Sequence, residues 1–365
     1  MGGLTSMRRA ETGRLAAAAA LWLAGAVAAA EPALQWRGVV SLPGRSDADD
    51  GSHRIAETSG IAWLGGDRYL AVMDGSDRAV VLRLALGAEG VPDDARVERT
   101  IALDGLRDWE DLAVVGPPAA RRLLAVEEDT PALRFFALDP EAIAPRATAL
   151  GAWPLGALFP AMRPNRGPES LAADPDGAAL WTANEEPLAG DGPAVADGRT
   201  GRIRLVRIAA ADVAGGLPED RREWIYEVDA PHERLGPQLA ARLVPGGGGL
   251  YSGVTALVAL GDGRLVVLER SAAAGVPPLE ARIYLVDTAM HAGAAGRADI
   301  GTAEPLPKRL LWRGQPGVNL EGLCVGPTLA DGRRALVGIA DNAGRAAAAG
   351  REATNPVVVF ALTTP

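Results

Sequence analysis

Five segments of this chain follow one plan, and that repeat limits the fold more than any other feature. The segments are ETSGIAWLGGDRYLAVMDGS, DWEDLAVVGPPAARRLLAVEEDT, GPESLAADPDGAALWTANEEP, YSGVTALVALGDGRLVVLERS and NLEGLCVGPTLADGRRALVGIADN. Each has a polar residue, a small or acidic one, a short apolar strand, a turn, and a second apolar strand ending in acid or amide. Asp176-Gly177, Asp262-Gly263 and Asp331-Gly332 mark three of the turns, as hairpins favour. Third strands follow: AVVLRLAL, ALRFFALD, IRLVRIAA, ARIYLVDT and VVVFALTT. Fourth strands follow four of the units: VERTIALDG, RATALGAWPL, REWIYEVDA and KRLLWRGQPG. The fifth unit lacks one before Pro365. Its substitute is LQWRGVVSLPG near the start, where Trp36-Arg37-Gly38 matches Trp312-Arg313-Gly314.

Four-stranded units repeated around a ring make a β-propeller. The repeat therefore predicts an all-β fold of five four-stranded blades, one domain over residues 31–365, closed by the N-terminal strand. Closure removes exposed sheet edges. Six blades is the alternative, if Asp229 to Leu250 hides an irregular one; the PGGGG run there argues for a loop.

Residues 1–30 stand outside that plan. Arg8, Arg9 and Arg14 make a positive start, LAAAAALWLAGAVAAA follows, and Ala28-Ala29-Ala30 precedes Glu31-Pro32. That order is a secretory signal peptide, and the run is too short and alanine-rich to span a bilayer. The expected compartment is the periplasm or beyond, with no membrane span after removal of the leader. The leader carries a net charge of +2, so the −9 of the whole chain becomes −11. Such an acidic chain repels nucleic acid and has no basic groove for it. Cys324 stands alone, so no intrachain disulfide forms. A monomer acting on a small molecule is the expectation.

In a propeller the first strand of each blade lines the channel, and the second runs antiparallel to it. The start of the first strand and the end of the second therefore share one channel mouth. The first-strand slot holds Ser59, Glu110, Glu169, Ser252 and Glu321. The second-strand ends add Asp74, Glu127 with Glu128, Asn184 with Glu185, Glu269 with Arg270, and Asp341 with Asn342. Carboxylates crowded there need a counter-ion or raised pKa values. Calcium, with six to eight oxygen ligands, suits such a donor set. Glu110, Glu169 and Glu321 are its candidate ligands, and Glu128, Glu185 and Asp341 the candidate general bases. The three histidines, His53, His232 and His291, form no zinc-type cluster. The bland alternative is that Arg270, Arg166 or Arg107 neutralises the carboxylates in a purely structural ion-pair network.

The segments SGIAW, DWEDLAV, GPESLAADPDGAALWTANEEP, SGVTALVALGDGRLVVLERS and NLEGLCVGPTLADGRRALVGIADN resemble a bacterial family of exported propellers, the phytase-like or "esterase-like activity of phytase" family. The family favours a second-strand ending in SDNN, where this chain has IADNAG. The resemblance implies a calcium-dependent hydrolase of phosphate or carboxylate esters. SDADDGSH, with Asp47, Asp49 and Asp50, is only faintly similar to an acidic motif of propeller phytases and is read as a solvated loop. The elbow G-x-S-x-G of serine esterases is absent. Two readings stay open: a metal-dependent hydrolase, and a non-enzymatic periplasmic propeller that binds a ligand or a protein.

Overall fold

A computed structural model describes residues 32–46, 53–139, 146–210, 221–232, 250–273, 279–291, 293, 300–315, 318–341 and 354–363. The chain opens with β1 (Ala33–Pro43). Blade 1 is β2 (Thr58–Gly65), β3 (Arg68–Met73), β4 (Ser76–Leu86) and β5 (Pro92–Arg107). Blade 2 is β6 (Trp109–Val115), β7 (Arg122–Glu127), β8 (Ala132–Ala137) and β9 (Thr148–Pro154). Blade 3 is β10 (Pro168–Ala173), β11 (Ala179–Asn184), β12 (Gly201–Ala209) and β13 (Arg221–Val228). Blade 4 is β14 (Tyr251–Gly261), β15 (Arg264–Ala272), β16 (Leu279–Asp287) and β17 (Lys308–Gly314). Blade 5 is β18 (Asn319–Thr328), β19 (Arg334–Asp341) and β20 (Thr354–Thr363), with β1 as its outer strand.

Every sheet is antiparallel and four-stranded, and there are five of them among the described residues. The six-blade alternative falls, although residues 233–249 lie outside the described ones. Each inner strand packs beside that of the next blade, and β18 returns to β2, closing the ring. Blade faces meet blade faces, so the middle strands are buried on both sides. That is why LAVM and VVVFAL read as continuous apolar runs, not as an alternating pattern. Leu70, Val72, Val81 and Phe136 fill the gap between blades 1 and 2, and Val266, Ile283, Leu336 and Phe360 that between blades 4 and 5. Each such side chain contributes about 1.5–3 kcal/mol on burial.

The two WRG copies meet at the closing seam. Trp36 of β1 stacks on Trp312 of β17, with ring centroids 5.7 Å apart and planes 12° from parallel. Phe360 stands edge-on to both. In the β14–β15 turn, Asp262 and Gly263 have φ of 54° and 86°, the left-handed values a two-residue type I′ hairpin requires. No helix among the described residues is long and apolar enough to cross a membrane.

Candidate functional site

All five inner strands carry a bulge at the same level. Pairing skips Ser59 and Gly60 in β2, Glu110 and Asp111 in β6, Glu169 in β10, Thr255 in β14 and Glu321 in β18. A bulge adds one residue to its strand and re-aims a side chain. Here it frees three glutamates from the ladder. In blade 4 the unpaired residue is Thr255, whereas Ser252 lies three positions earlier and pairs with Ser271. The Ser-Gly of SGVTAL looks like the Ser-Gly of SGIAW but sits in a different register. The Ala-Leu after Thr255 is the signal that marks the true level.

Glu110, Glu169 and Glu321 come within electrostatic reach of one another. They divide into two groups. Glu169 and Glu321 share Arg270, which reaches inward from the end of β15. Its Nη2 lies 3.3 Å from Glu169 and 2.9 Å from Glu185, and its Nη1 donates to Glu321. Arg166 takes the other side of Glu185, at 3.2 Å, and binds Glu186 at 3.0 Å. Both guanidiniums lie over the ring of Tyr251. Burial opposes the charge on Arg270, but Glu169, Glu321 and Glu185 hold its pKa well above the ordinary value.

Glu110 belongs to the second group. One donor atom each from Asp108, Glu110 and Glu128 lie within 4.8 Å of one another. None of the three forms a salt bridge among the described residues. Burial, then the charges of Glu169, Glu321, Asp108 and Glu128, pushes the Glu110 carboxyl well above its usual range. Burial and the Asp108 carboxyl push Asp74 up to about 7. Glu321 rises to about 8 through burial and the charges of Asp341 and Glu185, although Arg270 pulls it down. Oxygens on opposite sides of a calcium ion, bound at 2.3–2.6 Å, stand about 5 Å apart. The Asp108, Glu110 and Glu128 cluster fits that spacing and can hold a metal ion.

The other anticipated residues have defined places. Glu128 accepts from the Gly167 N–H at 2.5 Å. Asp341 and Glu321 both accept from Asn319 Nδ2, at 3.1 and 2.7 Å. Asn184 is a structural clamp, accepting from the Arg204 N–H and donating to the Glu186 carbonyl. Glu269 points away from the mouth, as the alternation along a strand requires beside Arg270. It binds Tyr226 Oη and Lys308 Nζ, each at 2.6 Å. Ser59 donates to the Trp109 carbonyl at 2.5 Å. Asn342 and the acidic loop with Asp47, Asp49 and Asp50 lie outside the described residues.

Sequence reasoning missed two features. Asp111 is fully buried, accepts from the Leu112 and Leu171 N–H groups, and so ties β6 to β10. Gly60 is its required neighbour, since a Cβ there would come within 2.7 Å of the Asp111 carboxylate. The second is a Ser–His contact, Ser271 Oγ to His232 Nδ1 at 2.9 Å. Ser271 is wholly buried and also accepts from the His232 N–H. It anchors the segment after β13 and is not an exposed nucleophile.

Several solved structures match the chain at low similarity. An endo-arabinase from Bacteroides thetaiotaomicron is 13% identical over 84% of this chain and 94% of its own, with a TM-score of 0.44. A thermostable family-43 glycoside hydrolase is 10% identical over 85% and 93%, with a TM-score of 0.41. The WD40 domain of Toxoplasma gondii coronin is 14% identical over 91% and 88%, with a TM-score of 0.35. Likeness at this level bears on neither activity nor substrate. No curated protein matches the sequence. The sequence profile described as phytase-like, esterase-like activity of phytase, matches residues 53–344. That span takes in the channel mouth from Asp74 to Asp341, and the chain belongs to the phytase-like family.

Proposed function

We propose that the mouth holds a divalent cation, calcium, and that the protein is a metal-dependent hydrolase of phosphate or carboxylate esters. One observation carries this reading: Asp108, Glu110 and Glu128 converge with no salt bridge to any of them among the described residues, while Arg270 serves Glu169, Glu185 and Glu321. In this reading Glu110, Asp108 and Glu128 would hold the ion, and Glu169 and Glu321 supply negative charge from alongside. When bound, the ion supplies Lewis-acid polarisation of a phosphoryl or carbonyl oxygen. Glu185 has both oxygens at arginines, which makes it a poor base. Asp341, which lies outside that ligand set and meets Glu321 through Asn319, is the better candidate for moving a proton. Residues 1–30 support an exported protein, and a small molecule is the expected partner.

A non-enzymatic binding propeller is the second reading. The Arg270 network favours it, because ion pairs of this kind also hold purely structural rings together. Hydrolysis of phosphomonoesters, short-chain esters and lactones, measured with calcium and with chelator, separates the two. Chelator-sensitive turnover supports the hydrolase. Calcium binding without turnover of any of them supports the binding protein.

A further inference from the structure

The channel has a second end. Beyond the bulges it widens into a cavity of about 670 Å³, within the range of small-molecule sites. Ile61, Leu112, Leu171, Leu257 and Leu323 line it, each two residues past the bulge of its strand. They form an apolar belt of one residue per blade. Each inner strand is also the edge of its sheet, so free backbone donors and acceptors border the same space.

The charges around this cavity are unequal. Asp262 is paired with Arg264 at 2.6 Å, and Asp174 with Arg207 at 3.1 Å. Arg334 has no carboxylate partner among the described residues. Its Nε and Nη2 donate only to the Gly326 carbonyl, at 3.0 and 2.7 Å, and its guanidinium lies over the ring of Trp63. Burial lowers its pKa, as for a cation without a counter-charge. Within its electrostatic reach, the Tyr69 hydroxyl is wholly buried and has no hydrogen-bond partner. A cation without an anion and an apolar belt share one end of the channel, and the Tyr69 hydroxyl lies behind them in the core.

We propose that this cavity is a second ligand site, separate from the carboxylate mouth, and that it takes a small monocarboxylate with an apolar body. The anion sits on Arg334 and the body lies against the belt. The site does not depend on metal at the other end or on hydrolysis.

The experiment is calorimetry of the full chain with hexanoate and with 1-hexanol. Hexanoate is expected to bind about tenfold more tightly than the alcohol, the worth of one charge-assisted hydrogen bond. Arg334→Gln should erase that preference and Arg334→Lys should keep part of it. No binding of hexanoate, or equal affinity for acid and alcohol in the wild-type protein, overturns the proposal without reference to any variant.

Discussion

Arg270 Nη2 stands 2.9 Å from Glu185 Oε1, joining blade 4 to blade 3 across the channel mouth. The same guanidinium also serves Glu169 and Glu321. Arg270→Met would leave three buried carboxylates without their main cation. Stripping one partner from a buried pair costs about 3–5 kcal/mol, and a loss of that size is expected in urea unfolding at neutral pH. Adding Glu185→Gln to Arg270→Met should recover part of it. An unchanged midpoint for Arg270→Met would mean that the network does not hold the ring.

Glu110→Gln is expected to act in opposite directions with and without metal. In chelator the substitution removes a buried carboxyl that must take up a proton to sit among four other carboxylates, so the melting temperature should rise. In calcium the same change removes a ligand, so the gain from calcium should shrink. For the wild-type chain that gain is about 2.7 kcal/mol when calcium is a hundredfold above its dissociation constant. Thermal shifts of both proteins in both buffers check this. Parallel shifts in the two proteins would count against a metal on Glu110.

The mouth also sets a pH dependence. A carboxyl with a raised pKa in the fold keeps its proton where the unfolded chain has lost it. The folded state then binds more protons, and stability falls as pH rises through the window. For Glu321 the window runs from the ordinary 4.5 to about 8, and for Asp74 from 3.8 to about 7. Metal-free protein should therefore lose stability between about pH 5 and pH 8, the reverse of ordinary acid denaturation. Calcium, replacing those protons, should flatten the slope. Urea midpoints across that range, in chelator and in calcium, measure both effects.

The ring was legible because its signals repeat. Asp-Gly turns such as Asp262-Gly263 recur in three blades and Trp-Arg-Gly in two outer strands, and each reports a local backbone or packing need. The three glutamates were legible for the same reason, as one polar position recurring before an apolar strand. Their partners were not. Arg270 and Glu269 are adjacent in sequence, and which of them faces the axis depends on strand alternation within an assembled blade. Asp108 joins Glu128 only through the β6–β7 pairing, and Thr255 was hidden behind a better-looking Ser252. Charge partners across blades are set by the closed ring, so no local pattern encodes them.

Ring closure makes the last prediction. β1 supplies the outer strand of blade 5 and pairs along β20 from Ala33 to Pro43. Trp36 adds a stack on Trp312 and an edge contact with Phe360. Trp36 is 37% exposed, so Trp36→Ala should cost less than the roughly 3–5 kcal/mol of a fully buried tryptophan. A loss of about 2 kcal/mol, with the wild-type elution volume retained, is expected. Deleting residues 33–43 goes further, since it strips β20 of its partner and exposes a VVVFAL edge. Unpaired apolar edges recruit other chains, so the deletion should give oligomers or aggregates by size-exclusion chromatography. A β1 peptide added in trans should restore the wild-type elution. A deletion variant that stays monomeric and stable alone would show that the seam is held by blades 4 and 1 without β1.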